Sequence, residues 1–263
     1  ICHAHNTKIE QNLKKPLKLL YKTQLKKVAN NFWGCGTDAV KFYFGEDIVK
    51  EKKYFILHNA IEVEKFIYNE NKRIELRNKM GLQNKFVIGN VGRFMEQKNH
   101  DFILKLFKII LDKEPNAILM LIGSGELMDK VKKQAKELRI EQSVMFMGNI
   151  PNVNEMYQAM DAFLLPSLFE GLPVVGIEAQ TAGLKCFFSD VITSEVKITD
   201  NVQYLSLQND SIDKWANEIL KEKDYKRNDM SKNVIDAGYS IVDEAKKLEE
   251  KYLDLLKERV YIK

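Results

Sequence analysis

The stretch "KFVIGNVGRFMEQKNHDFILKLFKIILDKEPNAILMLIGSG", residues 85–125, contains two short apolar runs on either side of a helical pattern. Residues 85–92 and 117–125 are apolar and lead into glycines, which is typical of buried parallel strands. Residues 100–115 carry apolar side chains at helical spacing, and the pattern stops at a proline. The stretch therefore predicts a strand, a helix and a second strand, the repeating unit of an α/β protein.

The same alternation continues along the chain to residue 190. It predicts strands at 143–148, 161–167 and 185–190, and helices at 126–140, at 153–160 and directly after residue 173. Because the connections are short, we predict a mostly parallel sheet with helices on both faces. Ligands of such sheets bind beyond the carboxyl ends of the strands. The loops in which we expect a ligand are therefore 92–98, 123–126, 148–153 and 167–173.

The residues before 85 predict part of another α/β unit. "ICHAHNT" (1–7) has the pattern of the middle of a strand and its following loop, so we expect the first domain to lack its front. The charged residues 64–79 are interpreted as a solvated connector. We predict three parts: the end of a first α/β domain with its connector (1–84), a complete second α/β domain (85–240) and a C-terminal helix (241–263).

The composition is that of a soluble globular protein, with 45% hydrophobic and 30% charged residues among 263. No apolar run approaches the roughly 20 residues that a membrane-spanning helix needs, and no signal peptide is visible. Cys2, Cys35 and Cys186 have neither paired nor metal-binding spacing. We interpret them as reduced thiols of a cytoplasmic protein.

The front of the chain is basic, because residues 1–27 carry seven lysines and one glutamate. Residues 13–29 predict a lysine-rich amphipathic helix, for which two interpretations stay open. The helix is either a solvated face, or it lies against anionic lipid headgroups and makes the protein peripheral to a membrane. No aromatic platform accompanies the basic residues of 64–79, so no nucleic-acid partner is predicted.

Two cations lie in the loop that follows the first predicted strand of the second domain. Arg93 comes directly after the glycine that ends the strand, and Lys98 lies just before the next helix. Such a pair suits a diphosphate, since arginine makes bidentate contacts and lysine acts as a point charge. Gly123-Ser124-Gly125 is not a dinucleotide fingerprint, because its third glycine would fall at Met128. It predicts a tight turn that lets a ligand approach the backbone.

Two acids bracket an apolar segment in "LFEGLPVVGIEAQ", residues 168–180. Pro173 suits the first turn of a helix, and the free N–H groups of a helix start form an anion site. Glu170 lies at the mouth of this helix, where it is expected to face sugar hydroxyls. Glu178 lies among apolar neighbours, so its carboxylate needs a partner, and ribose hydroxyls would serve.

These segments resemble the motifs of the retaining family 4 glycosyltransferases. "EGLPVVGIEA" resembles their E-x7-E motif, and "VGRFMEQKNHDFIL" is similar to their G-R-x4-K loop. "LIGSGE", "NAIEVEKF" and "HAHN" match in order and spacing, with Ala60 in place of a usual glycine. The resemblance is greatest to bacterial capsule and exopolysaccharide transferases. It implies the GT-B fold of two Rossmann-like α/β domains, the first incomplete and the second a complete parallel sheet with helices on both faces.

The resemblance also implies roles for individual residues. Arg93 and Lys98 would hold the donor diphosphate, Glu170 the donor sugar and Glu178 the ribose, and His5 would reach the donor sugar from the first domain. Further donor-binding residues would be Gly92, Gly123, Gly148, Asn149, Ile150, Pro151, Gly171, Leu172 and Pro173. The loop 148–151 would seat the base, and the C-terminal helix would cross back to the first domain.

The implied reaction moves a sugar, with retention, from a nucleotide diphosphate-sugar such as a UDP-sugar to a glycan or lipid-linked acceptor. No metal and no cofactor are expected, although the spacing of His3 and His5 leaves a metal pair conceivable. Two alternatives stay open. One is a UDP-sugar epimerase of the same fold, and the other is a non-catalytic subunit that binds a nucleotide-sugar.

Overall fold

The structure, a computed structural model, describes residues 1–4, 22, 24–208 and 211–260 and contains two parallel sheets. The first sheet has the order β1-β2-β3, with β1 at Cys2–Ala4, β2 at Phe32–Gly34 and β3 at Tyr54–Ile56. Helices α1 (Thr37–Phe44) and α2 (Glu46–Lys50) connect β2 to β3. Of the predicted helix 13–29, residues 22 and 24–28 are helical, and residues 13–21 and 23 lie outside the described part of the chain.

The second sheet has six parallel strands in the order β6-β5-β4-β7-β8-β9. Its strands are β4 (Phe86–Val91), β5 (Ala117–Ile122), β6 (Val144–Gly148), β7 (Ala162–Leu165), β8 (Lys185–Ser189) and β9 (Val202–Leu205). The helices after β3 are α3 (Val63–Phe66), α4 (Glu70–Met80), α5 (His100–Lys113), α6 (Met128–Glu137), α7 (Val153–Ala159), α8 (Val174–Thr181), α9 (Ile212–Lys221), α10 (Ser231–Asp236) and α11 (Ile241–Val260). The α/β prediction is confirmed.

Both faces of the second sheet are covered, because successive residues of β4 enter different hydrophobic cores. Val87 packs with residues of α7, α8 and α10, whereas Ile88 packs with residues of α5, α6 and α9. Neither side chain is exposed at all. Each fully buried aliphatic side chain of this kind contributes about 1.5–3 kcal/mol of hydrophobic free energy. This two-sided burial explains why the strands are apolar runs without polar alternation.

The strand order reverses at β4, and this reversal positions the site. The chain proceeds from β4 to β5 and β6 on one side, then returns to place β7 on the other side of β4. The loops that leave the carboxyl ends of β4 and β7 therefore lead into helices on opposite faces of the sheet, and the ligand crevice of such folds lies at this point. Those loops are residues 92–99 and 166–173, the two that carry the predicted cations and acids.

The predicted connector 64–79 is mostly exposed, and no residue of α4 is buried as a whole, but two of its arginines are bound to the second domain. Arg73 and Arg77 of α4 both form ion pairs with Asp161, which lies just before β7. Asp161 also accepts a hydrogen bond from the backbone N–H of Val87 at 2.7 Å. All three charged side chains are at most 17% exposed. The segment is as rich in charged residues as a protein surface, yet α4 packs against the second domain through two of those charged side chains.

Helix α11 contacts the first sheet. The ring of Tyr252 lies 5.4 Å from that of Trp33 in β2. Near the start of α11, Glu244 accepts a hydrogen bond from the backbone N–H of His58 at 2.8 Å. The structure also contains β9, α9 and α10, which the sequence did not predict.

Candidate active site

Hydrogen bonds join the loop after β4 (92–99) to the loop after β7 (166–173). The side-chain amide of Gln97 donates to the backbone carbonyl of Phe169 at 2.8 Å. The backbone carbonyl of Gln97 accepts a hydrogen bond from the N–H of Leu168 at 2.8 Å. Asn99 donates to the carbonyl of Pro166 at 3.1 Å. The loop after β4 thus fixes the position of the loop after β7. Lys98 and Glu170, which form an ion pair, lie on these two loops.

That ion pair joins Lys98 to Glu170. The Nζ of Lys98 lies 2.7 Å from Oε1 of Glu170, and Gln97 donates to Oε2 of the same carboxylate at 3.1 Å. The two side chains are only 14% and 8% exposed, so water screens the pair weakly. The stem of Lys98 crosses Gly92, where an added Cβ would lie 3.1 Å from Cδ and Cε. Gly92 therefore makes room for the lysine that reaches Glu170.

Arg93 lies on the same loop but in a different environment. Its side chain is 69% exposed, and its guanidinium lies 3.7 Å from the carboxylate of Glu126. It lines a cavity of about 470 Å³ beyond the carboxyl ends of β4 and β5. The other lining residues are Val91, Gly92, Ile122, Gly123, Ser124, Asn149, Ile150 and Val153. The cavity is thus lined both by a cation and by the predicted base-binding loop.

The glycines at 123 and 125 are needed by a neighbouring loop. Gly123 has φ +134°, and a Cβ there would lie 2.1 Å from the carbonyl oxygen of Gly92. A Cβ on Gly125 would lie 2.4 Å from the carbonyl oxygen of Phe94. Phe94 is hydrogen-bonded to Ser124 at 2.9 Å. The tight turn that the sequence predicts is present, and its close approach is to protein backbone.

The loop 148–151 separates two cavities. Gly148 has φ +66°, a left-handed conformation that favours glycine, and its carbonyl accepts from the N–H of Gly123 at 2.9 Å. Asn149 and Ile150 face the 470 Å³ cavity of Arg93, whereas Pro151 lines a second cavity of about 570 Å³. Val153 lines both of them. The two cavities are therefore neighbours across one short loop.

Glu178 of α8 lines the second cavity, together with Pro151, Val153 and residues of α3. The hydroxyl of Tyr157 in α7 donates to Oε2 of Glu178 at 2.7 Å. Burial raises the pKa of Glu178 above its usual value, and the Tyr157 hydrogen bond opposes that rise. The sequence correctly placed a partly buried carboxylate in this helix, but it did not predict the tyrosine partner.

The turn before α8 lies where the sequence predicts it. Pro173 is the cap residue and α8 begins at Val174, so the proline precedes the first helical residue. Leu172 is buried and Gly171 is half-buried. No side chain caps the start of α8. The N–H of Gly176 donates to the carbonyl of Pro173 at 2.9 Å, so the N–H groups ahead of it at the start of α8 are the ones that could serve an acceptor such as a phosphate.

A third cavity, of about 590 Å³, lies between the two sheets and has Glu170 in its wall. Its other lining residues are Lys22, Asp38, Lys41, Phe42, Gly45, Glu46, Val191, Ile192 and Thr193. Thr193 donates to Asp38 at 3.0 Å, and Glu195 accepts from the N–H of Thr37 at 3.0 Å. These contacts join the first domain to the second beside the cavity. Sequence reasoning missed them because they join residues more than 150 positions apart.

Of the predicted site residues, Gly92, Arg93, Gly123, Asn149 and Ile150 line the first cavity, Pro151 and Glu178 the second and Glu170 the third, while Lys98, Gly148, Gly171, Leu172 and Pro173 line none of them. His5 lies outside the described residues, so its predicted role is untested. Among the described residues, no cluster of three or more His, Cys, Asp or Glu side chains could hold a metal ion. In the same part of the chain, no helix is both long and apolar enough to cross a membrane. All three cysteines are free.

Residues 72–239, more than half of the chain, match the family model described as "Glycosyl transferases group 1". The chain belongs to the group 1 glycosyltransferases. The putative glycosyltransferase EpsF of Bacillus subtilis is 35% identical over 226 residues, covering 84% of this chain and 59% of that protein. The Escherichia coli UDP-Gal:alpha-D-GlcNAc-diphosphoundecaprenol alpha-1,3-galactosyltransferase is 28% identical over 265 residues, 96% of this chain and 68% of that protein.

Solved structures show the same architecture for this group 1 glycosyltransferase. The crystal structure of Anabaena Alr3699/HepE in complex with UDP-glucose superposes with a TM-score of 0.79 at 17% identity, covering 96% of this chain and 71% of that one. The fold is therefore GT-B, as the sequence predicts. The chain spans 59% of the length of the Bacillus relative and 68% of that of the Escherichia relative.

Proposed function

We propose that this chain provides the donor site and part of the acceptor site of a retaining family 4 glycosyltransferase. Its donor would be a UDP-sugar, and its acceptor a glycan or a lipid-linked glycan of capsule or exopolysaccharide synthesis. The observation that carries the proposal is the Lys98–Glu170 pair at the mouth of α8, beside the cavity that holds Arg93. The UDP-glucose complex of HepE and the UDP-galactose specificity named for the Escherichia relative support the choice of nucleotide.

The three cavities suggest how the donor lies in the crevice. The base and ribose would occupy the cavities on either side of residues 149–151, with the ribose hydroxyls against Glu178. The diphosphate would lie between Arg93, Lys98 and the start of α8. The sugar would lie against Glu170, in the cavity shared with the first sheet. Lys98 has three N–H donors, so its pairing with Glu170 leaves donors for a phosphate.

Transfer would begin as the bond between the anomeric carbon and the β-phosphate oxygen breaks, with its electron pair going to the diphosphate. Arg93, Lys98 and the N–H groups at the start of α8 would stabilise the charge that develops there. The acceptor hydroxyl would attack the same face of the sugar and give its proton to the departing phosphate oxygen. No covalent enzyme intermediate is needed, and the anomeric configuration is retained.

Calorimetric titration with UDP-, GDP- and ADP-sugars tests the donor assignment. We expect one UDP-sugar to bind at least tenfold more tightly than its GDP and ADP counterparts. Equal or absent binding of all three classes would overturn the proposal. Product analysis of the full-length protein with donor alone then separates transfer from epimerisation. A new UDP-sugar formed without acceptor would identify the epimerase instead, and tight binding without any product would identify a binding subunit.

Peripheral contact with a cytoplasmic membrane face through residues 13–29 is a further part of the proposal. Two lysines of this region already contact the first domain: Lys26 pairs with Asp47, and Lys22 lies 3.9 Å from the ring centre of Phe42. The remaining lysines must supply any attraction to anionic lipid. We expect sedimentation with vesicles rich in anionic lipid that weakens at high salt. Equal binding to neutral vesicles would contradict it.

A further inference from the structure

Tyr157 is a fully buried tyrosine whose hydroxyl is directed at Glu178. The hydroxyl donates to Oε2 of that carboxylate at 2.7 Å and lies 3.4 Å from the carbonyl of Val175. Burial and the neighbouring carboxylate raise the pKa of Tyr157 well above its usual value, so its hydroxyl keeps its proton and remains a donor. A neutral phenol is an unusual partner for a buried carboxylate, for which a cation would offset burial better.

The hydroxyl is held in one place by contacts along the rest of the residue. The ring of Tyr157 packs against Phe66 and Phe163, each with ring centres 5.8 Å away. The backbone carbonyl of Tyr157 accepts a hydrogen bond from Arg227 at 3.0 Å. Arg227 also donates to the carbonyls of Gln158 and Met160, so it fixes the whole end of α7. A side chain locked in this way can orient a group that contacts ligand.

Glu178 has two carboxylate oxygens with different surroundings. Oε2 is engaged by Tyr157, while the side chain itself lines the 570 Å³ cavity with Pro151 and Val153. The oxygen that remains for a ligand is therefore Oε1. If the tyrosine hydroxyl were absent, the carboxylate would lose the contact that sets its rotation about the terminal side-chain bond, which is intrinsically broad.

We propose that Tyr157 is a positioning residue, whose hydroxyl fixes Oε2 of Glu178 so that Oε1 accepts hydrogen bonds from the ribose of the donor nucleotide. This inference rests on the proposed function, in which Glu178 contacts the ribose. A purely structural tyrosine would contribute to stability and would affect all nucleotides equally. A positioning tyrosine affects only those ligands that carry the hydroxyl which Glu178 contacts. The two roles therefore differ in ligand discrimination.

The test is calorimetric binding of UDP, 2′-deoxy-UDP and 3′-deoxy-UDP to the wild type and to Tyr157→Phe. We expect the wild type to bind UDP about tenfold more tightly than the analogue that lacks the contacted hydroxyl. In Tyr157→Phe, UDP should weaken about tenfold while that analogue keeps its affinity, so the preference disappears. Glu178→Gln should lose the same preference, and the double variant should lose no more than either single variant.

Tyr225→Phe is the matched control, since it also removes a tyrosine hydroxyl that is bonded to a side chain, but that side chain is Asn201, 3.0 Å away, which lines none of the three cavities. It should keep the wild-type preference. A Tyr157→Phe variant that keeps the preference, or that weakens all three nucleotides alike, would overturn the role of Tyr157. A wild type that binds UDP without any preference would overturn the ribose assignment of Glu178, and the role of Tyr157 with it.

A second measurement covers the case in which Tyr157→Phe does not fold. 3-Fluorotyrosine introduced at position 157 alone keeps the ring and the hydroxyl. Its fluorine resonance should shift when UDP binds and shift much less with the analogue that lacks the contacted hydroxyl. A resonance that responds identically to both nucleotides would contradict the inference.

Discussion

The two glutamates at α8 are the same residue type, eight positions apart, and are stabilised in different ways. Glu170 lies outside the helix and is paired with the ammonium of Lys98 at 2.7 Å. Glu178 lies inside the helix and accepts a hydrogen bond from a neutral phenol at 2.7 Å. The first carboxylate is matched by a charge and the second is not, which is why burial raises the pKa of Glu178.

Because of this difference, we expect the two acids to respond to different experimental changes. Removal of a counter-charge should affect Glu170 most, because a buried charge left without its partner is costly. A change in pH should affect Glu178 most, because its ionised form is already disfavoured by burial. The comparison also separates two parts of one proposed ligand, with the sugar at the ion pair and the ribose at the hydrogen-bonded acid.

Lys98→Ala should have the largest effect. It removes a cation from the proposed diphosphate site and takes the ammonium of Lys98 away from the nearly buried Glu170 carboxylate, to which Gln97 still donates. We expect turnover of the full-length protein to fall by about 10²–10³-fold and the free energy of unfolding to fall by about 3 kcal/mol. Steady-state kinetics and denaturant unfolding measure the two effects.

Lys105→Ala is the control for that variant, because Lys105 pairs with Asp101 on the exposed side of α5. Its pair is a surface one, worth at most about 1 kcal/mol. Both turnover and stability should stay close to those of the wild type. Transfer and donor-hydrolysis rates of Lys98→Ala that equal the wild-type rates would contradict the assignment of Lys98.

Lowering the pH should weaken donor binding through Glu178. Its pKa is raised above the usual 4.5, so the carboxylate gains its proton at a higher pH than an exposed glutamate does. Because the ionised form accepts the stronger hydrogen bond, UDP-sugar affinity should fall by about tenfold as the pH decreases from 7 through that raised pKa. In Tyr157→Phe the decrease should be much smaller, since that variant has already lost the contact between Glu178 and the ligand. Calorimetric titration at a series of pH values measures both.

Glu178→Gln supplies the reference for this pH series, because a glutamine of the same length does not titrate. Glu62, Lys65 and Glu155 line the same cavity and are present in both proteins. The difference between the two pH profiles therefore belongs to Glu178. Profiles that run parallel over the whole range would show that Glu178 does not control donor affinity.

Arg93→Ala should have the smallest effect of the three. The side chain is 69% exposed and its contact with Glu126 is long, so stability should not change measurably. Affinity for UDP should fall by only a few-fold to about tenfold, and the loss should shrink at high salt. Glu126→Gln is the matched control and should not weaken UDP binding. An Arg93→Ala variant that binds UDP like the wild type at low salt would remove Arg93 from the site.

The second domain could be predicted from sequence because its strands and helices have strong apolar patterns. β4, α5 and β5 lie within two residues of their predicted ends, apart from the glycine turn after β5. The site loops could be placed because parallel strands direct their following loops to one edge. β9 could not be predicted, because Val202–Leu205 is only a four-residue strand at the sheet edge and two of its positions are half-buried.

Partnerships between distant polar side chains could not be predicted. Lys98 and Glu170 were each assigned to the site, but nothing in a single sequence indicates that they contact each other across 72 positions. α4 looked like a solvated connector because no residue in it is buried as a whole, although its arginines reach Asp161. The hydrogen bond of Tyr157 to Glu178 could not be predicted either, because in the sequence Tyr157 is only one aromatic residue in a short helix.

The most direct test of the two-acid account is calorimetric binding of UDP and of the preferred UDP-sugar to the wild type, Glu170→Gln and Glu178→Gln. Because Glu178 is assigned to the ribose, Glu178→Gln should weaken both ligands by the same factor, about tenfold. Because Glu170 is assigned to the sugar, Glu170→Gln should weaken the UDP-sugar and leave UDP bound at least as tightly as before. A Glu170→Gln variant that weakens UDP and UDP-sugar alike, or a Glu178→Gln variant that spares UDP, would contradict the account.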